Sequence, residues 1–131
     1  SVDNMNRAIE LLADDMNIKI KEFTVAGIPH GSLFAHHWFI SVDGDYNKEL
    51  LSQRLDHYLR ELNDDYNVER QHALRNVIVD VVPNSVFISW LKEKGKEGAQ
   101  IKFPRVLKIQ QYHDWLSYLH KQNHSLTNSL S

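Results

Sequence analysis

A chain of 131 residues has room for one domain around one core, and 42% hydrophobic with 24% charged residues is the balance of an ordinary globular protein. A net charge of −2 excludes a surface built throughout for nucleic acid or anionic lipid, and a cysteine count of 0 excludes disulfides, thiolate nucleophiles and cysteine-ligated metals. No apolar run approaches the roughly 20 residues of a bilayer span and no signal peptide is visible, so no membrane partner and a cytoplasmic location are expected.

The chain opens Ser1-Val2-Asp3-Asn4 without an initiator Met, as expected of a piece of a longer protein. Met5, Ala8, Ile9, Leu12 and Met16 then recur at helical spacing, with Asp3 or Asn4 available as cap. Ile18, Ile20, Phe23 and Val25 alternate as in a strand that ends at the Gly27–Gly31 loop, and Leu33–Val42 is a second strand rich in aromatic and branched residues. The pair should form a hairpin. Lys48–Leu62 is an amphipathic helix: Leu51, Leu55, Tyr58, Leu59 and Leu62 form its stripe, while Gln53, Arg54, Asp56 and Arg60 face away. Asn63-Asp64-Asp65 ends it, and Val68–Leu74 reads as a short helix or ordered loop. Val77, Ile78, Val79, Val81 and Val82 make Asn76–Pro83 a strand covered on both faces. A helix follows with Asn84 as its cap and Val86, Phe87, Trp90 and Leu91 inward, then an aperiodic Lys94–Leu107 stretch, then a helix over Ile109–Lys121. The predicted class is α+β, a small mainly antiparallel sheet with helices packed on it, in the order α-β-β-α-β-α-loop-α. Residues 1–122 form the domain, and 123–131 a polar tail expected to fray.

The Lys94–Lys108 loop is the most unusual stretch. Gly95 and Gly98 permit sharp turns, Pro104 stiffens the exit, and the charge is mainly basic. A long connection between helices is uncommon without a function, yet the Walker spacing and the preceding strand of a phosphate-binding loop are both absent. Taken alone, the loop reads either as a solvated connector or as an anion-contacting segment. The eight histidines do not make a metal site: His36 and His37 point to opposite faces of a strand, and His120 and His124 lack the glutamate of a zincin helix. Metal is therefore expected to be none, and these histidines should be packed or solvated. Asp14-Asp15 and Asp64-Asp65 do not face each other as acid/base pairs, and no serine sits in a nucleophile elbow. Trp38, Trp90 and Trp115 lie on inward patterns and belong to the core.

Four segments, in order, carry a family resemblance: Ala35-His36-His37-Trp38-Phe39-Ile40, Leu55-Asp56-His57-Tyr58-Leu59-Arg60-Glu61-Leu62-Asn63-Asp64-Asp65-Tyr66, Val82-Pro83-Asn84-Ser85-Val86-Phe87-Ile88-Ser89-Trp90, and Gly95-Lys96-Glu97-Gly98-Ala99-Gln100-Ile101-Lys102-Phe103-Pro104-Arg105. The last is the most specific. Together they resemble the C-terminal domain of bacterial relatives of the plant auxin- and jasmonate-conjugating acyl-acid amido synthetases, the Gretchen Hagen family within the acyl-adenylate-forming superfamily. The similarity runs from about Asn4 to Leu119. His37 stands where bacterial members often have Glu, and Asn84-Ser85 replaces the usual Gly-Thr.

The resemblance implies a large N-terminal adenylation domain as partner in the same chain. That domain binds ATP, Mg²⁺ and a carboxylic acid, forms an acyl-AMP with release of pyrophosphate, and passes the acyl group to an amino acid. The small C-terminal domain closes over the site, binds no cofactor by itself and is inactive alone. By the same match Lys102 contacts phosphate or carboxylate oxygens during adenylation, Gly98 and Pro104 set the loop backbone, and Gln100 and Arg105 shape the loop or touch the large domain. The competing expectation is a stand-alone binding module using the basic 92–108 stretch for RNA, a nucleotide or a protein. The net charge and the absence of basic residues interleaved with stacking aromatics make nucleic acid the weaker partner class.

Overall fold

The structure, a computed structural model, describes residues 1–95 and 102–126, Arg75 as backbone alone. Eight elements follow one another: α1 (Val2–Met16), β1 (Phe23–His30), β2 (Leu33–Ile40), α2 (Lys48–Leu62), α3 (Asp64–His72), β3 (Leu74–Val81), α4 (Asn84–Glu93) and α5 (Ile109–Lys121). The domain is α+β, with a three-stranded sheet in the order β1-β2-β3. The β1–β2 hairpin is antiparallel over eight pairs, from Phe23↔Ile40 to His30↔Leu33. The second ladder, β2–β3, is parallel over seven pairs from Phe34↔Leu74 to Ile40↔Val81, so the sheet is mixed. Its parallel half follows from the α2–α3 crossover, which returns the chain to the end of the sheet where β2 began.

Several element boundaries depart from the sequence reading: β2 stops at Ile40, α3 spans Asp64–His72 and β3 spans Leu74–Val81, and two departures have clear local reasons. The first strand begins at Phe23 and runs through Gly27 and Pro29 to His30, because the hairpin reverses at Gly31, whose φ is +64°. Pro29 fits because β1 is an edge strand. Asn63 ends α2 and also starts α3, where its Oδ1 accepts from the Tyr66 amide at 3.2 Å. The Asn-Asp-Asp run thus joins two helices instead of closing one. Caps differ as well. Ser1 caps α1 through its Oγ, and Pro83, not Asn84, occupies the position before α4 with no side-chain hydrogen bond.

The sheet is covered on both faces. On one, Ala8, Ile9 and Leu12 of α1, Leu51, Leu55 and Leu59 of α2 and Tyr66 of α3 pack on Phe23, Val25, Trp38, Ile40 and Val79. On the other, Phe87 and Trp90 of α4 and Tyr112, Trp115 and Leu119 of α5 pack on Ala26, Ile28, Ala35 and Phe39. Strand alternation produces this division: odd positions in β1 and even positions in β2 serve the first core, their neighbours the second. Leu51, Leu55 and Leu59, the buried leucines of the α2 stripe, each contribute about 1.5–3 kcal/mol by burial. His124 extends the α5 end, its amide donating to the Leu119 carbonyl at 3.0 Å, and Leu126 packs on the second core.

Candidate functional site

The described part of the long loop, from Lys102 onward, is held against β1. Phe103 is 1% exposed and enters the second core, where its ring lies 5.0 Å from the centroids of Phe87, Trp90 and Trp115. The Thr24 hydroxyl donates to the Pro104 carbonyl at 2.6 Å. The Val25 amide donates to the Arg105 carbonyl and the Leu107 amide to the Val25 carbonyl, both at 2.9 Å. This pairing, a parallel bridge of Val25 with Val106, satisfies part of an otherwise open sheet edge. Arg105 carries the side-chain contacts: its Nη1 donates to Glu22 Oε1 and, at 2.9 Å, to the Phe23 carbonyl, and the guanidinium lies 4.2 Å from the Phe23 ring centroid. Pro104 and Arg105 thus both contact the β1 edge, Pro104 through its carbonyl and Arg105 through carbonyl and side chain. Lys102, immediately before Phe103, is exposed. Gly98 and Gln100 lie outside the described residues.

Two other members of the basic stretch meet different fates. Lys94 pairs with Asp114 of α5, whereas Lys108 is exposed at the start of α5, where its amide donates to Gln111 Oε1 at 2.8 Å. With Lys94 and Arg105 both facing carboxylates, the stretch presents less positive charge to a polyanion than its composition suggests.

A buried polar chain lies in the second core and was not visible in the sequence. His37 is 2% exposed; its Nδ1 is 2.8 Å from the Tyr112 hydroxyl and its Nε2 is 2.6 Å from Asp80 Oδ2. Asp80, 1% exposed, also accepts from Lys48 Nζ at 2.6 Å. With Nε2–H donating to the carboxylate, Nδ1 is left to accept from the Tyr112 hydroxyl, so every polar atom of the ring is used. Burial first and the Asp80 charge second push the Tyr112 hydroxyl up to about 12. The chain ties β2, β3, α2 and α5 together. One signal could have exposed it: an aspartate within the Val77–Val82 run must have a partner if that strand is covered on both faces. His36, on the opposite face, lies between Phe34 and Tyr66, and burial, then the Arg70 charge, lowers its imidazole below the usual range. Among the described residues no group of three or more His, Cys, Asp or Glu could hold a metal ion.

Residues 3–111 match the GH3 family C-terminal domain. The chain belongs to this family. No curated protein matches the sequence. Among solved structures it is similar to the GH3.15 acyl acid amido synthetase, with a TM-score of 0.71 at 15% identity, covering 98% of this chain and 26% of that one. It is also similar to the AtGH3.15 acyl acid amido synthetase in complex with 2,4-DB, with a TM-score of 0.70 at 15% identity, covering 98% and 25%. The shared fold is that of a GH3 C-terminal domain, and the chain spans about a quarter of the length of these structures. In the full GH3 enzyme such a domain pairs with an N-terminal domain. Among the described residues no helix is long and apolar enough to cross a membrane.

Proposed function

We propose that this GH3 C-terminal domain closes over the active site of an N-terminal adenylation domain and delivers Lys102 to the reacting groups. The parent enzyme would be an ATP- and Mg²⁺-dependent acyl-acid amido synthetase that forms an acyl-AMP and then an amide with an amino acid. The observation that carries this reading is the setting of Lys102: an exposed ammonium immediately before a buried Phe103 and an edge-docked Arg105. In adenylation a carboxylate attacks the α-phosphate, so negative charge accumulates between two anions. A lysine carried in by a closing domain stabilises that charge when the site is shut and dry. The binding-module alternative draws no support from Lys94 and Arg105, whose charges are turned toward Asp114 and Glu22.

The test is single-turnover kinetics on the enzyme that carries this domain, with 2,4-DB and a panel of other carboxylic acids as probes. Lys102→Ala should slow acyl-AMP formation by on the order of 10²–10³, the usual cost of losing one preorganised charge-stabilising donor. Aminolysis of supplied acyl-AMP should suffer less, because the pyrophosphate has left. Lys92→Ala, on the exposed side of α4, is the control and should be nearly normal. Equal slowing of both half-reactions would point to a docking defect, and no slowing in either would return Lys102 to the solvated surface.

A further inference from the structure

We infer that Glu22 is a positioning residue for Lys102, acting through Arg105 across 83 positions of sequence. The inference rests on the proposed role of Lys102 and adds the residue that aims it. Phe103 alone cannot do so. Apolar burial holds a ring in a core but is non-directional, and the bonds from the Thr24 hydroxyl and the Val25 amide add direction only at the Pro104 and Arg105 carbonyls. A guanidinium–carboxylate pair is directional, and Arg105 adds two further restraints: a bond to the Phe23 carbonyl at 2.9 Å and stacking on the Phe23 ring.

The carboxylate end of the pair is itself fixed. The Glu22 amide donates to Ser41 Oγ at 2.8 Å, and the Glu22 carbonyl accepts from the Ser41 amide at 2.9 Å. Glu22 Oε1 also accepts from the Phe23 amide at 3.1 Å. With side-chain exposures of 28% for Arg105 and 17% for Glu22, the pair is largely withdrawn from water, where its geometry counts for more than that of a surface ion pair. The chain of restraint runs from Ser41 at the end of β2, through Glu22 and Arg105, to the backbone three residues beyond Lys102. Pro104, with its fixed φ, transmits it. Lys102 then keeps freedom mainly in its own side chain, the condition for a charge that must reach one point on each closure.

Two readouts test this. In the 131-residue chain, ¹⁵N relaxation should show the Lys102 and Phe103 amides rigid, with order parameters near about 0.85, falling toward about 0.6 in Glu22→Ala. Glu22→Gln, which keeps an acceptor for Arg105, should restore much of the order, while β2 amides stay unchanged in both variants. Unchanged order at Lys102 and Phe103 in Glu22→Ala overturns the inference. In the adenylation assay, Glu22→Ala should lower the single-turnover rate by about 10- to 100-fold, the scale for a misplaced reacting group, with the KM for ATP and the aminolysis rate nearly unchanged. Lys102→Ala in the same assay separates the two claims. If Lys102→Ala slows adenylation and Glu22→Ala does not, only the positioning role is lost. If Lys102→Ala has no effect, the reading of Lys102 falls and this inference falls with it.

Discussion

Phe103→Ala tests whether the signature segment is part of the core or merely rests on it. The ring is 1% exposed, so truncation removes a fully buried phenyl group, which costs about 3–5 kcal/mol when the cavity cannot collapse. Collapse is hindered here because the ring sits 5.0 Å from each of Phe87, Trp90 and Trp115, large planar groups already packed against one another. Each ring pair adds about 0.5–1.5 kcal/mol beyond area burial, which places the expected loss in the upper part of that range, at about 4–5 kcal/mol. With an m-value of about 1.5 kcal/mol/M in urea, the unfolding midpoint should fall by roughly 3 M without a change in slope. Val106→Ala is the internal control. It lies three residues away, is 49% exposed and is held through its backbone, so its change should stay within about 0.5 kcal/mol. A Phe103→Ala midpoint within about 0.7 M of wild type would show that the segment docks without contributing to the core, and the anchoring of Lys102 would lose its basis.

Two further outcomes follow from the polar contacts. Tyr112→Phe removes the donor facing buried His37 Nδ1, and should cost about 1–3 kcal/mol by urea denaturation; a neutral result would mean that the His37–Tyr112 contact is not a hydrogen bond. Burial alone would raise the Asp56 carboxyl, but hydrogen bonds from Arg70 and Tyr66 and the charges of Arg70 and Arg60 outweigh it and hold the group below 3.8. Because the folded value is depressed, this stability is present above 3.8 and is lost as pH falls through the lower folded value. Wild type should therefore lose stability more steeply on acidification than Asp56→Asn, as read from urea midpoints across that window, and parallel curves would rule out Asp56 as a source of acid sensitivity.

Much of the architecture was legible in the sequence because it is set by short-range periodicity. Lys48–Leu62 and Ile109–Lys121 appear in the structure with the predicted ends, since each carries an unbroken apolar stripe. Three tryptophans on inward patterns are core, at 1%, 5% and 0% exposure for Trp38, Trp90 and Trp115. The loop was conspicuous through its glycines, its length and its lack of period, and the family resemblance rested on ordered motifs that needed no coordinates.

Tertiary structure decided what depends on residues far apart in the chain. Whether β3 runs parallel or antiparallel to β2 is set by where the α2–α3 crossover returns the chain, and strand patterning is blind to that. Phe103 stands in an aperiodic stretch, so nothing local distinguishes it from a loop residue until α4 and α5 close around it. Glu22 and Arg105, like His37, Asp80 and Tyr112, acquire partners only when β1, β2, β3 and α5 share one face or edge of the sheet. A hydrophobic residue declares its destination through its spacing, because burial is non-directional and any core will serve. A polar side chain needs one partner at one distance, and the chain does not name that partner until it has folded.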